Sequence, residues 1–167
     1  MDFILIQLLN GLASASSLFL VASGLSIIFG VTRIVNFAHG SFYMLGAYIA
    51  YSLIEALPHT MLGFCGGVVA AALAVGVIGA VVEIVLLKRI YRAPELFQLL
   101  ATFGVVLVAA DLTLKLWGAE ELLAPRPAAL RGAVEILGRA FPLYDLVLIA
   151  IGPLVLALLW LLFRRTR

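Results

Sequence analysis

Five long apolar stretches, 3–29, 37–57, 61–87, 96–116 and 143–163, constrain this chain more than any single residue does. A helix rises about 1.5 Å per residue, so roughly 20 apolar residues cross a hydrocarbon layer about 30 Å thick. Each stretch meets or approaches that length. Composition points the same way: 65% of residues are apolar and 12% charged, against roughly 45–50% and 25% in a soluble domain. Too little polar surface exists to coat a water-soluble body, which excludes a disordered chain, a disulfide scaffold and a free-standing soluble enzyme. The expected fold is an all-α polytopic membrane protein with about five transmembrane helices, a single transmembrane domain over 1–167.

The charged stretches also satisfy insertion energetics. Stretch 143–163 holds fourteen Leu, Ile, Val or Phe residues, each contributing about −0.3 to −0.6 kcal/mol near the bilayer centre. Together they outweigh Asp145 near one end. Asp111 and Lys115 lie toward the outer end of 96–116, where headgroups are within reach and a charge costs less than at the centre. They stand at i, i+4 with the acid first, the favourable order for a helical pair. The first stretch lacks a basic leader and is too long for a signal peptide, so it reads as a retained span.

Orientation follows from the basic residues. With five spans, Arg33, Lys88, Arg89, Arg92, Arg164, Arg165 and Arg167 share one side, and Lys115, Arg126, Arg131 and Arg139 the other. The richer side is cytoplasmic, which places the N-terminus outside and the C-terminus in the cytoplasm. A re-entrant 37–57 would move Arg33 across and flip the N-terminus. Segment 118–142, with Pro125, Pro127 and balanced Glu and Arg, reads as an external loop.

Polar residues inside the apolar stretches are the functional candidates, because lipid cannot satisfy them. If a helix begins at Asn36, then Asn36, Gly40, Tyr43 and Ala47 share one small, polar face, with His39 beside it. On the first stretch, Gln7, Asn10, Ser14 and Ser17 share another. A solute path and a packing seam both account for such faces. Gln7, Asn10, Asn36, His39, Gly40 and Tyr43 are therefore the candidate path residues. Ala72, Gly76 and Ala80 form a small-xxx-small ladder, with Gly67, Ala71 and Gly79 in the adjacent row and Gly46 on the preceding stretch. These are expected to pack helices closely. Glu83 lies one turn from the inner end beside Lys88, and Pro153 predicts a kink in the last span. No P-loop, HExxH, GxSxG or paired metal-ligand spacing occurs, so no cofactor or metal is called for. Cys65 stands alone, which excludes an intrachain disulfide.

The order of several motifs resembles the LivH-type permease family. They are Asn10-Gly11-Leu12; Ala22-Ser23-Gly24-Leu25-Ser26-Ile27-Ile28-Phe29-Gly30; Asn36-Phe37-Ala38-His39-Gly40; and Met44-Leu45-Gly46-Ala47-Tyr48. Glu83 to Arg92, Ala101-Thr102-Phe103-Gly104 and Phe163-Arg164-Arg165-Thr166-Arg167 follow in the same order. The resemblance implies the membrane subunit of an ATP-driven importer for branched-chain amino acids in the bacterial inner membrane. It further implies alternating access, a second permease subunit, two cytoplasmic ATP-binding subunits and a periplasmic substrate-binding protein. No ATPase site of the chain's own is implied. Related permeases carry urea or short amides.

Family members run to nearly twice this length, so the resemblance covers an N-terminal portion. The segment that docks the ATPase follows the Arg-Arg-Thr-Arg stretch in the family, and the chain alone is not expected to couple ATP hydrolysis to transport. From the residues alone, two other classes stand beside this one. One is an ion-coupled transporter or channel titrating Glu83, Asp111 and His39; the other is a purely structural membrane subunit.

Overall fold

The computed structural model describes residues 2–32, 36–136 and 138–165. Helix α1 spans Asp2–Thr32, α2 Ala38–Ala56 and α3 Met61–Val82. A π-helical segment, Glu83–Leu87, joins α3 to the short α4, Lys88–Ile90. After a turn come α5 (Glu95–Trp117), strands β1 (Ala133–Ile136) and β2 (Arg139–Pro142), and α6 (Leu143–Arg165). Arg33 and Arg167, both used in the orientation argument, lie outside the described residues.

Among the described residues, four helical stretches are long and apolar enough to cross a membrane: Ile4–Val31, Met61–Ile90, Glu95–Trp117 and Leu143–Arg165. The protein is an all-α polytopic membrane protein, with one small hairpin inside the expected loop. The fifth expected span, α2, is not among the four. Its 19 residues include His39, Ser41, Tyr43, Tyr48, Tyr51, Ser52 and Glu55, which dilute its hydropathy. The helix is nevertheless unbroken over Ala38–Ala56.

The chain forms two compact units, residues 1–24 with 128–167, and residues 25–127. In the second unit, α2 and α3 are joined by a tight turn. Thr60 caps α3 by accepting a hydrogen bond from the Gly63 amide at 3.1 Å. A Cβ on Gly63 would stand 2.0 Å from the Pro58 carbonyl oxygen, so only glycine fits there. Further along, a Cβ on Gly67 would lie 2.8 Å from Ile54 Cγ1, and one on Gly46 would lie 3.6 Å from Val75 Cγ2. These pairings run in opposite chain directions, so the two helices are antiparallel and α2 follows α3 along its length. Helix α5 also packs on α2. Trp117 Nε1 donates to Ser52 Oγ at 2.8 Å, and the Trp117 ring lies 5.3 Å from that of Tyr48.

The small residues of α3 divide unevenly. Gly67 and Ala71 are buried, whereas Ala72, Gly76 and Ala80 are exposed within this chain. A Cβ on Gly76 or Gly79 would meet nothing within 4 Å. Within this unit the Gly67 row makes the close contact, because Ile54 of α2 seats over Gly67.

In the first unit, Gly152 of α6 approaches α1 closely: a Cβ there would lie 2.8 Å from Ser16 Oγ. Ala13 and Ser16 are buried on the same side of α1. Pro153 sits inside an uninterrupted α6. The hairpin pairs Ala133 with Pro142 and Ile136 with Arg139, and Gly138 takes φ +73° in its turn. The Leu143 amide donates to the Gly132 carbonyl at 3.0 Å, fixing the hairpin base to the start of α6. Buried side chains are few and mostly small, while Leu62 and Leu18 are 87% and 71% exposed. Such a surface would be a liability in water but is matched by lipid tails.

Candidate functional site

Several polar groups of the second unit converge at the end that carries Lys88, Arg89 and Arg92. Here the helix after Val82 widens into the π segment, a departure from regular geometry that often marks functional positions. Glu83 opens that segment. The turn that follows brings Tyr91 back so that its hydroxyl donates to Glu83 Oε1. Gln98, buried in the first turns of α5, donates through Nε2 to the Ala93 carbonyl at 2.8 Å and to the Tyr91 carbonyl at 3.3 Å. Thr102 is fully buried one turn later and donates to the Leu99 carbonyl at 3.0 Å.

Asn36 meets this group from the α2 side and is 8% exposed. Its Oδ1 accepts from the Ala38 amide at 3.0 Å, and its carbonyl accepts from the His39 amide at 3.2 Å. Asparagine side chains compete for backbone donors in this way and favour helix starts over helix interiors. Asn36 therefore precedes α2, and the helical face sharing Gly40, Tyr43 and Ala47 begins only at Ala38.

Ile28, Asn36, Glu83, Leu87, Ile90, Tyr91 and Thr102 together line a cavity of about 20 Å³. That is room for about one water molecule and far below the roughly 300 Å³ at which ligand pockets begin. The arrangement is a polar joint between helix ends, not a container for a solute. The Tyr91 phenol is pushed up to about 12, first by partial burial and then by the hydrogen bond and charge of Glu83. It is protonated, and a donor, throughout the neutral range.

The remaining candidates lie elsewhere. Gln7 and Asn10 are exposed on α1 in the first unit, where Asn10 Nδ2 donates to Gln7 Oε1 at 3.4 Å. His39 is half-buried. Gly40 has open space where a Cβ would point, and Tyr43 is 60% exposed. The structure thus gathers Asn36 with Glu83 and Thr102, and leaves Gly40 and Tyr43 on an uncovered face of α2. Gln98, Thr102 and Tyr91 were not among the sequence candidates. A signal for the first two existed: they stand at i, i+4 as polar residues within an apolar stretch.

A family model described as branched-chain amino acid transport system / permease component matches residues 7–167. The chain belongs to that family. It is 29% identical over 110 residues to the high-affinity branched-chain amino acid transport system permease protein LivH of Escherichia coli (strain K12), covering 62% of this chain and 35% of that protein. The LivH protein of Salmonella typhimurium is 28% identical over the same extent. The corresponding protein BraD of Pseudomonas aeruginosa is 33% identical over 104 residues, covering 59% of this chain and 34% of its own. The matched region spans about a third of the length of these relatives. No solved structure matches the chain. The protein is thus a multi-pass membrane protein of a transport permease family.

Proposed function

We propose that this chain forms part of the translocation path for branched-chain amino acids in an ATP-binding-cassette importer of the bacterial inner membrane. The family match over 7–167 carries the reading, and the polar faces that the chain leaves uncovered support it. Gln7, Asn10 and Ser14 on α1 and Tyr43 on α2 are exposed in helices otherwise sheathed in apolar side chains. In a bilayer such faces turn toward other helices or toward water. A periplasmic binding protein delivers the amino acid, a second permease subunit completes the path, and two cytoplasmic ATP-binding subunits supply the free energy. The N-terminus is outside and the C-terminus cytoplasmic.

The test is uptake of labelled leucine in a strain deleted for this gene. The reading requires uptake to fail in the deletion, return with the gene, and persist when the proton gradient is collapsed but ATP is maintained. Restored uptake of urea or acetamide without leucine would reassign the solute. Uptake that follows the proton gradient and survives ATP depletion would overturn the importer class.

A further inference from the structure

Two side chains hold the turn at residues 91–94 from opposite sides. From the α3 side, Glu83 accepts the hydroxyl hydrogen of Tyr91. From the α5 side, Gln98 donates to the Tyr91 and Ala93 carbonyls. Either contact alone would tie the turn to one helix only. Both together bridge the two helices, and Glu83 and Tyr91 also line the small cavity beside the joint. The π segment makes this geometry available: an added residue per turn changes the azimuth at which Glu83 leaves the helix, and its carboxylate faces the phenol eight residues on. A glutamate near a span end has no need of such a partner to be tolerated, since headgroups and water are close. Its engagement by Tyr91 therefore calls for a mechanical account.

We infer that Glu83 is a positioning residue which, acting through Tyr91, clamps the turn between α3 and α5 so that the two helices move as one body during transport. The inference rests on the transport reading above. In this arrangement any rearrangement that opens or closes the path carries α3 and α5 together, and the basic side chains Lys88, Arg89 and Arg92 travel with them. Glu83 touches no solute; it acts on transport only by fixing where the joint sits.

The test uses the complete transport system in cells, with Glu83→Leu, Tyr91→Phe, their double variant and Glu83→Gln, each normalised to membrane-inserted protein. Glutamine keeps an oxygen that accepts the Tyr91 hydrogen. The clamp predicts that Glu83→Leu and Tyr91→Phe each lower the maximal uptake rate by about 5–30-fold, the scale of one hydrogen bond, with the half-saturating concentration unchanged. The double variant is no worse than either single one, and Glu83→Gln stays near the wild type. Hydrogen exchange on the purified full chain supplies a readout that does not need transport. Amides of Tyr91, Arg92 and Ala93 exchange faster in Glu83→Leu and Tyr91→Phe and not in Glu83→Gln. Wild-type uptake rates together with unchanged exchange in Tyr91→Phe would overturn the clamp. A raised half-saturating concentration would overturn it too, because it would place Glu83 on the solute. Absence of leucine uptake in the wild type would instead overturn the transport reading, and the exchange experiment would still decide the clamp.

Discussion

The two ends of the α2–α3–α5 group are fastened by different chemistry. At the end opposite the basic cluster, the fastening is steric and aromatic: Gly63 tucked under the Pro58 carbonyl, the Thr60 cap, and Trp117 set against Tyr48 and Ser52. At the basic end it is a set of directed hydrogen bonds around a π-helical segment, joining Glu83, Tyr91 and Gln98. Close packing forfeits much of its energy over a fraction of an ångström. A hydrogen-bonded joint depends instead on direction, and losing one partner leaves the other unsatisfied. The first end is held by shape, and the second by donor and acceptor geometry.

The comparison can be broken most forcefully at Gly63. Gly63→Ala puts a Cβ into the Pro58 backbone oxygen, which no rotamer change relieves. We expect a loss of about 1–3 kcal/mol, the range for overpacking, read as a lower unfolding midpoint in detergent. An unchanged midpoint would show that steric fit does not hold this turn. Thr60→Ala removes the cap oxygen that serves the Gly63 amide and should cost about 1 kcal/mol in the same measurement. Trp117→Phe keeps a ring but loses the donor to Ser52, with an expected loss of about 0.5–1.5 kcal/mol.

The smallest effect belongs to the basic end and depends on pH. The Tyr91 phenol lies above its ordinary value near 10, at about 12, so its contribution is whole below pH 10 and fades as pH rises through 12. The stability difference between the wild type and Tyr91→Phe should therefore shrink across that window, while the Trp117→Phe difference stays flat. Parallel curves for both variants would remove the distinction between the two ends.

Legibility in the sequence varied with the kind of physics involved. The spans on α1, α3, α5 and α6 were readable because insertion depends on summed apolar character over about 20 residues, a property local in sequence. Helix α2 was readable as a helix, yet its polar content left open whether it turns back; what only the structure adds is its antiparallel pairing with α3 through Gly46 and Gly67. The small residues of α3 offered two adjacent rows to periodicity. Which row packs depended on where Ile54 sits, and Ile54 belongs to another helix. Asn36 stood out as a polar residue in apolar surroundings, but its place before the helix, rather than on it, came from a local competition for the Ala38 amide.

From residue order alone came the solvent this protein must have, the positions of its four long apolar helices and the family whose motifs it carries. Each of these is set by patterns along the chain. The joint of Glu83, Tyr91, Gln98 and Thr102, the close approach of Ser16 to Gly152 and the contact row on α3 were decided only in three dimensions. Each depends on the azimuth at which one helix meets another, and a π-helical turn or a single seated isoleucine is enough to reset that angle.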